Sequence, residues 1–189
     1  ANCETCDYGV GGKADADGQF QITVREPSRY RVSASAPGYV AQAYGDEPEI
    51  GWTPVAVAAG AHVRDIEIRL RRGSTIAGVV IDEFKEPVIG ATVRAVTRRH
   101  VNGEFRLMPD STTRTDDRGT YRLIGLAAGE YFVSVSDGLS VTFASSAATA
   151  STARRVTIGV DAELEGVSIQ TKSSPTGAIE GIVAGPGAG

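Results

Sequence analysis

The sequence predicts an all-β protein made of two copies of one sandwich-like module, the first copy lacking its first strand. Three observations carry this. Apolar and polar residues alternate in short runs: Gln19-Phe20-Gln21-Ile22-Thr23-Val24, Arg64-Asp65-Ile66-Glu67-Ile68-Arg69-Leu70 and Tyr131-Phe132-Val133-Ser134-Val135. Such alternation describes strands with one wet face, and here Gly, Pro and Asp turns bound them. No stretch keeps apolar residues at helical spacing for three turns. Finally, landmarks recur at a single spacing along the chain.

That spacing is 101 residues. It separates Gly18 from Gly119, Tyr30 from Tyr131, Val55-Ala56-Val57 from Val156-Thr157-Ile158, and Ile66-Glu67-Ile68 from Val167-Ser168-Ile169. In the first copy the turn Asp15-Ala16-Asp17-Gly18 leads into the strand 19–24, and the run 64–70 closes the module. The Asp-x-x-Gly turns pair a side chain that caps its own backbone with a glycine suited to positive φ. Phe20 and Tyr121, two residues on, are expected to face inward at the start of a strand. Tyr30 and Tyr131 are expected to bury their rings and hydrogen-bond a loop carbonyl through the hydroxyl.

The second copy reads as complete. A strand over 75–82 is followed by the turn Glu86-Pro87 and a strand over 90–96. Residues 98–111 read as an inserted loop or hairpin. The turn Asp116-Asp117-Arg118-Gly119 opens a strand reaching Ile124, another runs over 130–136, and strands near 154–158 and 164–171 close the module. At the C-terminus, Ala178, Ile179, Glu180, Gly181, Ile182 and Val183 match the strand Ile76-Ala77-Gly78-Val79-Val80 but have no module after them. With the tail of one chain joined to the head of another, Ile179 falls 28 positions ahead of Gly18. The corresponding interval from Ile76 to Gly119 is 43, and the insertion at 98–111 accounts for most of the difference.

The pattern Ile76-x-Gly78-x-Val80-x-Asp82, Pro87-x-x-Gly90-Ala91-x-Val93, Thr115-Asp116-x-x-Gly119-x-Tyr121 and Leu126-x-x-Gly129-x-Tyr131-x-Val133 resembles the carboxypeptidase regulatory-like domain. The resemblance spans the second module and extends over the first from Lys13, through Pro37-Gly38-Tyr39 and Tyr44-Gly45, to Leu70. It implies two tandem Greek-key β-sandwiches of transthyretin-like, Ig-like type, common in bacterial secreted and surface proteins. Such domains resemble accessory modules without chemistry of their own, and a fold of this kind does not specify function.

Composition narrows the function classes. The 189 residues are 41% hydrophobic and 22% charged, with a net charge of −4. That balance fits a folded chain and argues against nucleic acid as a partner, which calls for a basic face. No apolar run approaches the ~20 residues of a membrane span. The chain opens Ala1-Asn2-Cys3 without Met, as expected of a mature secreted product or a fragment.

Catalytic constellations are not expected. Only two histidines exist, and His62 and Asp65, three apart on an expected strand, point to opposite faces. His100 falls in the expected loop with Glu104 and Asp110. The aspartate turns lack the further oxygen ligands of an EF-hand, so turn chemistry is the reading there. Neither a Gly-x-Ser-x-Gly elbow nor a phosphate loop occurs. No cofactor and no metal are expected.

Cys3 and Cys6 are the only cysteines. An intrachain disulfide leads, with bonds to another chain, free thiols or metal as alternatives, because cysteines on one straight strand would point apart. Tyr39, Tyr44 and Trp52 lie in a polar connection, either covering a sandwich end or forming a shelf for glycans. The Ser/Thr/Ala-rich stretch 140–152 reads as a mobile loop or an O-glycosylated surface.

The resulting division is 1–71 for the incomplete first module, 73–171 for the second, and 172–189 for a linker plus donor strand. The expected role is non-enzymatic: a structural subunit, extracellular or at the cell surface, whose partners are copies of itself joined head to tail in a filament. The alternative is a non-catalytic spacer, or a carbohydrate- or peptide-binding module, cut from a larger secreted enzyme or receptor.

Overall fold

A computed structural model describes residues 10–46, 51–101, 103–136, 140–144, 147, 149–172 and 182, together with the backbone of residues 2 and 3. The described residues form strands and turns, with no helix among them. In the first half the strands are β1 (Asn2–Cys3), β2 (Ser28–Arg31), β3 (Ser33–Ala34), β4 (Tyr39–Val40), β5 (Gln42–Ala43), β6 (Val55–Val57) and β7 (Arg71–Arg72). The second half contributes β8 (Ser74–Ile81), β9 (Thr92–Val101), β10 (Glu104–Arg114), β11 (Thr120–Leu126) and β12 (Gly129–Ser136). After these come β13 (Val141–Phe143), β14 (Val156–Ile158), β15 (Glu163–Leu164) and β16 (Ile169–Gln170).

The second half is a β-sandwich. In one sheet β8 is central, antiparallel to β11 on one side and parallel to β15 and then β16 on the other. The opposing sheet runs β10-β9-β12-β13, with β14 also paired to β12. Ile76 and Val80 of β8, Tyr121 and Leu123 of β11 and Ile169 of β16 meet Val93 of β9 and Val133 and Val135 of β12 in one core. On β11 alternate residues point inward, and the period of two translates into burial. Tyr131–Val135 of β12 are all buried instead: the wet face expected there is covered, with Phe132 packed against Val96 and Phe143 away from the main core.

β8 holds its sheet together, because β11, β15 and β16 all pair with it. Gly78 at its centre has no room for a side chain. A Cβ there would fall on the Val167 carbonyl and 3.0 Å from the Tyr121 hydroxyl. That hydroxyl donates a 2.5 Å hydrogen bond to the Val167 carbonyl. Tyr121 is almost wholly buried, and burial pushes its phenol well above the ordinary range. Burial also raises Tyr131.

A pH dependence follows. Because the folded phenols resist ionisation, their contribution to stability is constant below about pH 10, the ordinary phenol value, and falls above it as the unfolded chain loses protons. Tyr121→Phe should lower stability at neutral pH by about 1–3 kcal/mol, through the unpaired Val167 carbonyl. It should also flatten the decline between pH 9 and 11 in urea denaturation followed by circular dichroism. An unchanged alkaline slope would remove Tyr121 from the account.

The first half repeats one of these two sheets. Ser28, Arg29 and Tyr30 of β2 pair with Val57, Ala56 and Val55 of β6. Gly129, Glu130 and Tyr131 of β12 pair with Ile158, Thr157 and Val156 of β14, each partner 101 residues further on. β1 lies against the other edge of β2, as β9 lies against β12. The sheet β1-β2-β6 thus takes the arrangement of β9-β12-β14.

The strands expected over 19–24 and 64–70 are a correction. Residues 10–27 and 58–70 carry no strand, and Phe20, expected to face inward, is 39% exposed. Their counterparts 101 residues later are β11, β15 and β16, the strands that pair with β8. Strand formation needs a partner for the backbone as well as a suitable alternation. Among the described residues, the first half offers none.

Candidate strand-binding cleft

Two equivalent turns define where the cleft begins. The Asp15 carboxylate accepts hydrogen bonds from the backbone N–H groups of Asp17 (3.0 Å) and Gln19 (2.8 Å), and Gly18 N–H donates to the Asp15 carbonyl. Asp116 does the same with Arg118 (2.9 Å), Thr120 (2.7 Å) and Gly119. Both glycines have positive φ, 78° and 72°. The aspartates therefore act as turn residues, the role their spacing predicts.

Downstream the two halves diverge. From Thr120 the chain enters β11 and pairs with β8, whereas the backbone from Phe20 to Arg25 makes no backbone hydrogen bond among the described residues. It forms one wall of a cleft of about 1000 Å³, with residues 58–66 as the other wall. Tyr30, Val32, Val55 and Val57 lie along it. Tyr30 is buried, and its hydroxyl donates to the Glu26 carbonyl at 2.6 Å. In the second half Tyr131 donates to the Ala127 carbonyl at 2.9 Å, again with both partners 101 positions on. Phe20 and Val63, 39% and 41% exposed, leave apolar surface open in the cleft.

The cleft's walls have the chemistry of strand neighbours. Unpaired backbone along one wall offers donors and acceptors at strand spacing, and the apolar side chains offer contact to every second residue of an inserted segment. His62 and Asp65 also line it, but not on a strand, and Asp65 sits at φ 62°. No group of three or more potential metal ligands occurs among the described residues.

The other expected site residues lie elsewhere. Tyr39 in β4 is 46% exposed, while Tyr44 and Trp52 are half-buried and the Arg31 guanidinium sits 5.7 Å from the Trp52 ring centre. Cys3 belongs to β1 by its backbone, opposite Tyr30, but its side chain and the whole of Cys6 lie outside the described residues. Of the proposed donor strand, Ala178, Ile179, Glu180, Gly181 and Val183 lie outside them as well; Ile182 is 96% exposed.

Residues 98–111 fall within a continuous hairpin of β9 and β10, turned at Gly103. Residue by residue, its outer end pairs Arg98 with Leu107 and His100 with Phe105.

The sandwich around β8 also carries a family match. Residues 75–165 match the carboxypeptidase regulatory-like domain. This segment belongs to that family. Carboxypeptidase regulatory-like domains are non-catalytic modules, and the matched segment runs from β8 to β15. A search of curated proteins finds no match.

Proposed function

We propose that the chain is a structural subunit of an extracellular or surface assembly that polymerises head to tail. In this reading 1–71 and 73–171 are tandem copies of the carboxypeptidase regulatory-like sandwich, and 172–189 is a linker plus donor strand. Ala178–Val183 of one copy fills the cleft of the next. The observation that carries it is the cleft itself, bounded by the counterparts of β11 and β15 and, among the described residues, without the strand that lies between them in the second half.

The tail supplies a matching occupant. Ile179, Gly181 and Val183 repeat Ile76, Gly78 and Val80, three alternate residues of β8 that are all buried. Burying Ile179 and Val183 would contribute about 1.5–3 kcal/mol each. Each new backbone hydrogen bond would add about 0.5–1.5 kcal/mol net. An open strand slot favours such addition, and a donor joined to its own acceptor-bearing chain propagates a filament unless the ring closes.

In a longer tandem array the same strand would serve a following module within one polypeptide. Deleting 177–189 separates the two cases. The full chain should run as a ladder of multimers on size exclusion, and the deletion should leave monomers. A monomeric full chain, or multimers that persist in the deletion, would overturn head-to-tail donation.

A further inference from the structure

We infer that the cleft accepts its strand in one polarity and one register, with Gly181 as the residue that decides entry. The inference rests on the strand-donation reading above and specifies its geometry. It comes from carrying the observed pairing of β8 onto the first half, where each cleft residue stands 101 positions before its counterpart. Each tail residue stands 103 after its own.

In the complete sandwich Thr120, Tyr121 and Leu123 pair antiparallel with Val79, Gly78 and Ile76. Ile76 and Val80 pair parallel with Leu164 and Ile169. Transferred, Gln19 faces Ile182, Phe20 faces Gly181 and Ile22 faces Ile179, all antiparallel. On the other side Ile179 runs beside Val63 and Val183 beside Ile68, parallel. The donor therefore runs against 19–25 and along 62–69, and the reverse direction would mismatch both walls.

The backbone ties of the second half indicate the same seating. Val80 N–H donates to the Gly119 carbonyl at 2.8 Å, and Thr75 N–H to the Ala162 carbonyl at 2.9 Å. Val167 N–H donates to the Ala77 carbonyl at 3.1 Å. Their counterparts are Val183 to Gly18, Ala178 to Ala61, and Ile66 to Glu180.

Gly181 matters because of what sits over Gly78. The Val167 carbonyl occupies the place where a Cβ would go, and the Tyr121 hydroxyl, which Phe20 lacks, lies 3.0 Å from it. In the cleft these positions belong to Ile66 and Phe20, both lining it. A side chain at 181 would meet the Ile66 carbonyl, whereas Glu180 corresponds to Ala77, which is buried but stands outside the main core cluster. A sliding register would put Ile179 or Val183 against that carbonyl, so the glycine fixes the register as well as admitting the strand.

The test uses the full chain with Cys3→Ser and Cys6→Ser, so that only engineered thiols remain. Gln19→Cys with Ile182→Cys should oxidise to a covalent ladder on a non-reducing gel, because facing residues fall within disulfide reach. Gln19→Cys with Ala178→Cys should not. A ladder from the second pair alone would overturn the register. A disulfide closing within single chains of the first pair would keep the register and overturn head-to-tail donation. In parallel, Gly181→Val should cut the assembled fraction at least tenfold while Glu180→Val leaves it within twofold. If Gly181→Val assembles like the unmodified chain, the role of the glycine is wrong although donation stands. An unmodified chain that never assembles overturns donation and this inference together.

Discussion

Replacing Leu123 by alanine should destabilise the second half by about 2–5 kcal/mol. Ile22→Ala, at the equivalent place in the first half, should cost about 1 kcal/mol or less in the unassembled chain. Leu123 is fully buried between two sheets, so truncation removes its contacts and leaves a cavity that surrounding strands close only in part. Ile22 is half-buried on a cleft wall that pairs with no strand among the described residues, and water can take the space of its missing atoms. The single tryptophan, Trp52, lies in the first half, so its fluorescence follows that half in denaturant. Circular dichroism follows the longer strands of the second. Leu123→Ala should move the dichroism transition and leave the Trp52 transition in place. Equal costs at the two positions would mean that the first half has a covered core, contrary to the open cleft.

The same asymmetry explains what was legible in the sequence. Alternation located β11, which has a neighbour and one buried face, the conditions under which a period of two becomes a strand. It also located β12 but not the cover on its second face, where Phe132 packs with Val96 and Phe143. It placed equal strands at 19–24 and 64–70, where the residues are as suitable but the backbone partner is absent from the described residues. A sequence pattern records which face would be buried and is silent on whether a neighbour is there. The 101-residue repeat adds what local periodicity lacks, because it matches 19–24 to β11 and 62–69 to β15 and β16, the strands on either side of β8. The two walls of the cleft were therefore legible through that spacing and invisible to local periodicity.

Residues 98–111 were ambiguous for a different reason. Arg98, Arg99, Glu104 and Arg106 interrupt any apolar face, and the outer hairpin is largely exposed on both sides. Its order comes from backbone pairing between β9 and β10, interrupted by a register shift between Pro109 and Ser111, from the Arg98 guanidinium 3.9 Å from the Phe105 ring centre, and from the ion pair of Arg99 with Asp110. None of these depends on burial, so hydrophobic patterning carried no signal for them. The turns were legible in detail because an aspartate and a glycine at fixed spacing determine them locally, without help from the rest of the fold.

Those turns allow the sharpest comparison between the halves. Gly119→Ala should cost about 2–4 kcal/mol, combining the strain of a left-handed backbone with a steric clash. The clash is specific: a Cβ at Gly119 would lie 2.5 Å from the Val80 carbonyl oxygen and 3.1 Å from the Pro87 Cβ. Relieving it pulls the turn away from β8 and weakens the bond from Val80 N–H to the Gly119 carbonyl. Gly18 has nearly the same φ, but a Cβ there would meet nothing within 4 Å. Gly18→Ala should therefore cost only the conformational strain, about 1–2 kcal/mol. Assembly reverses the order of severity. Once a donor strand seats Val183 beside Gly18, as Val80 lies beside Gly119, the added methyl group would confront the donor carbonyl. Gly18→Ala should then yield monomers on size exclusion at concentrations where the unmodified chain forms multimers, with its Trp52 denaturation midpoint lowered by no more than that strain of about 1–2 kcal/mol. Gly119→Ala should lower the dichroism midpoint and, below it, leave multimers intact. If Gly18→Ala assembles normally, the position of Val80 is not where the donor strand lies.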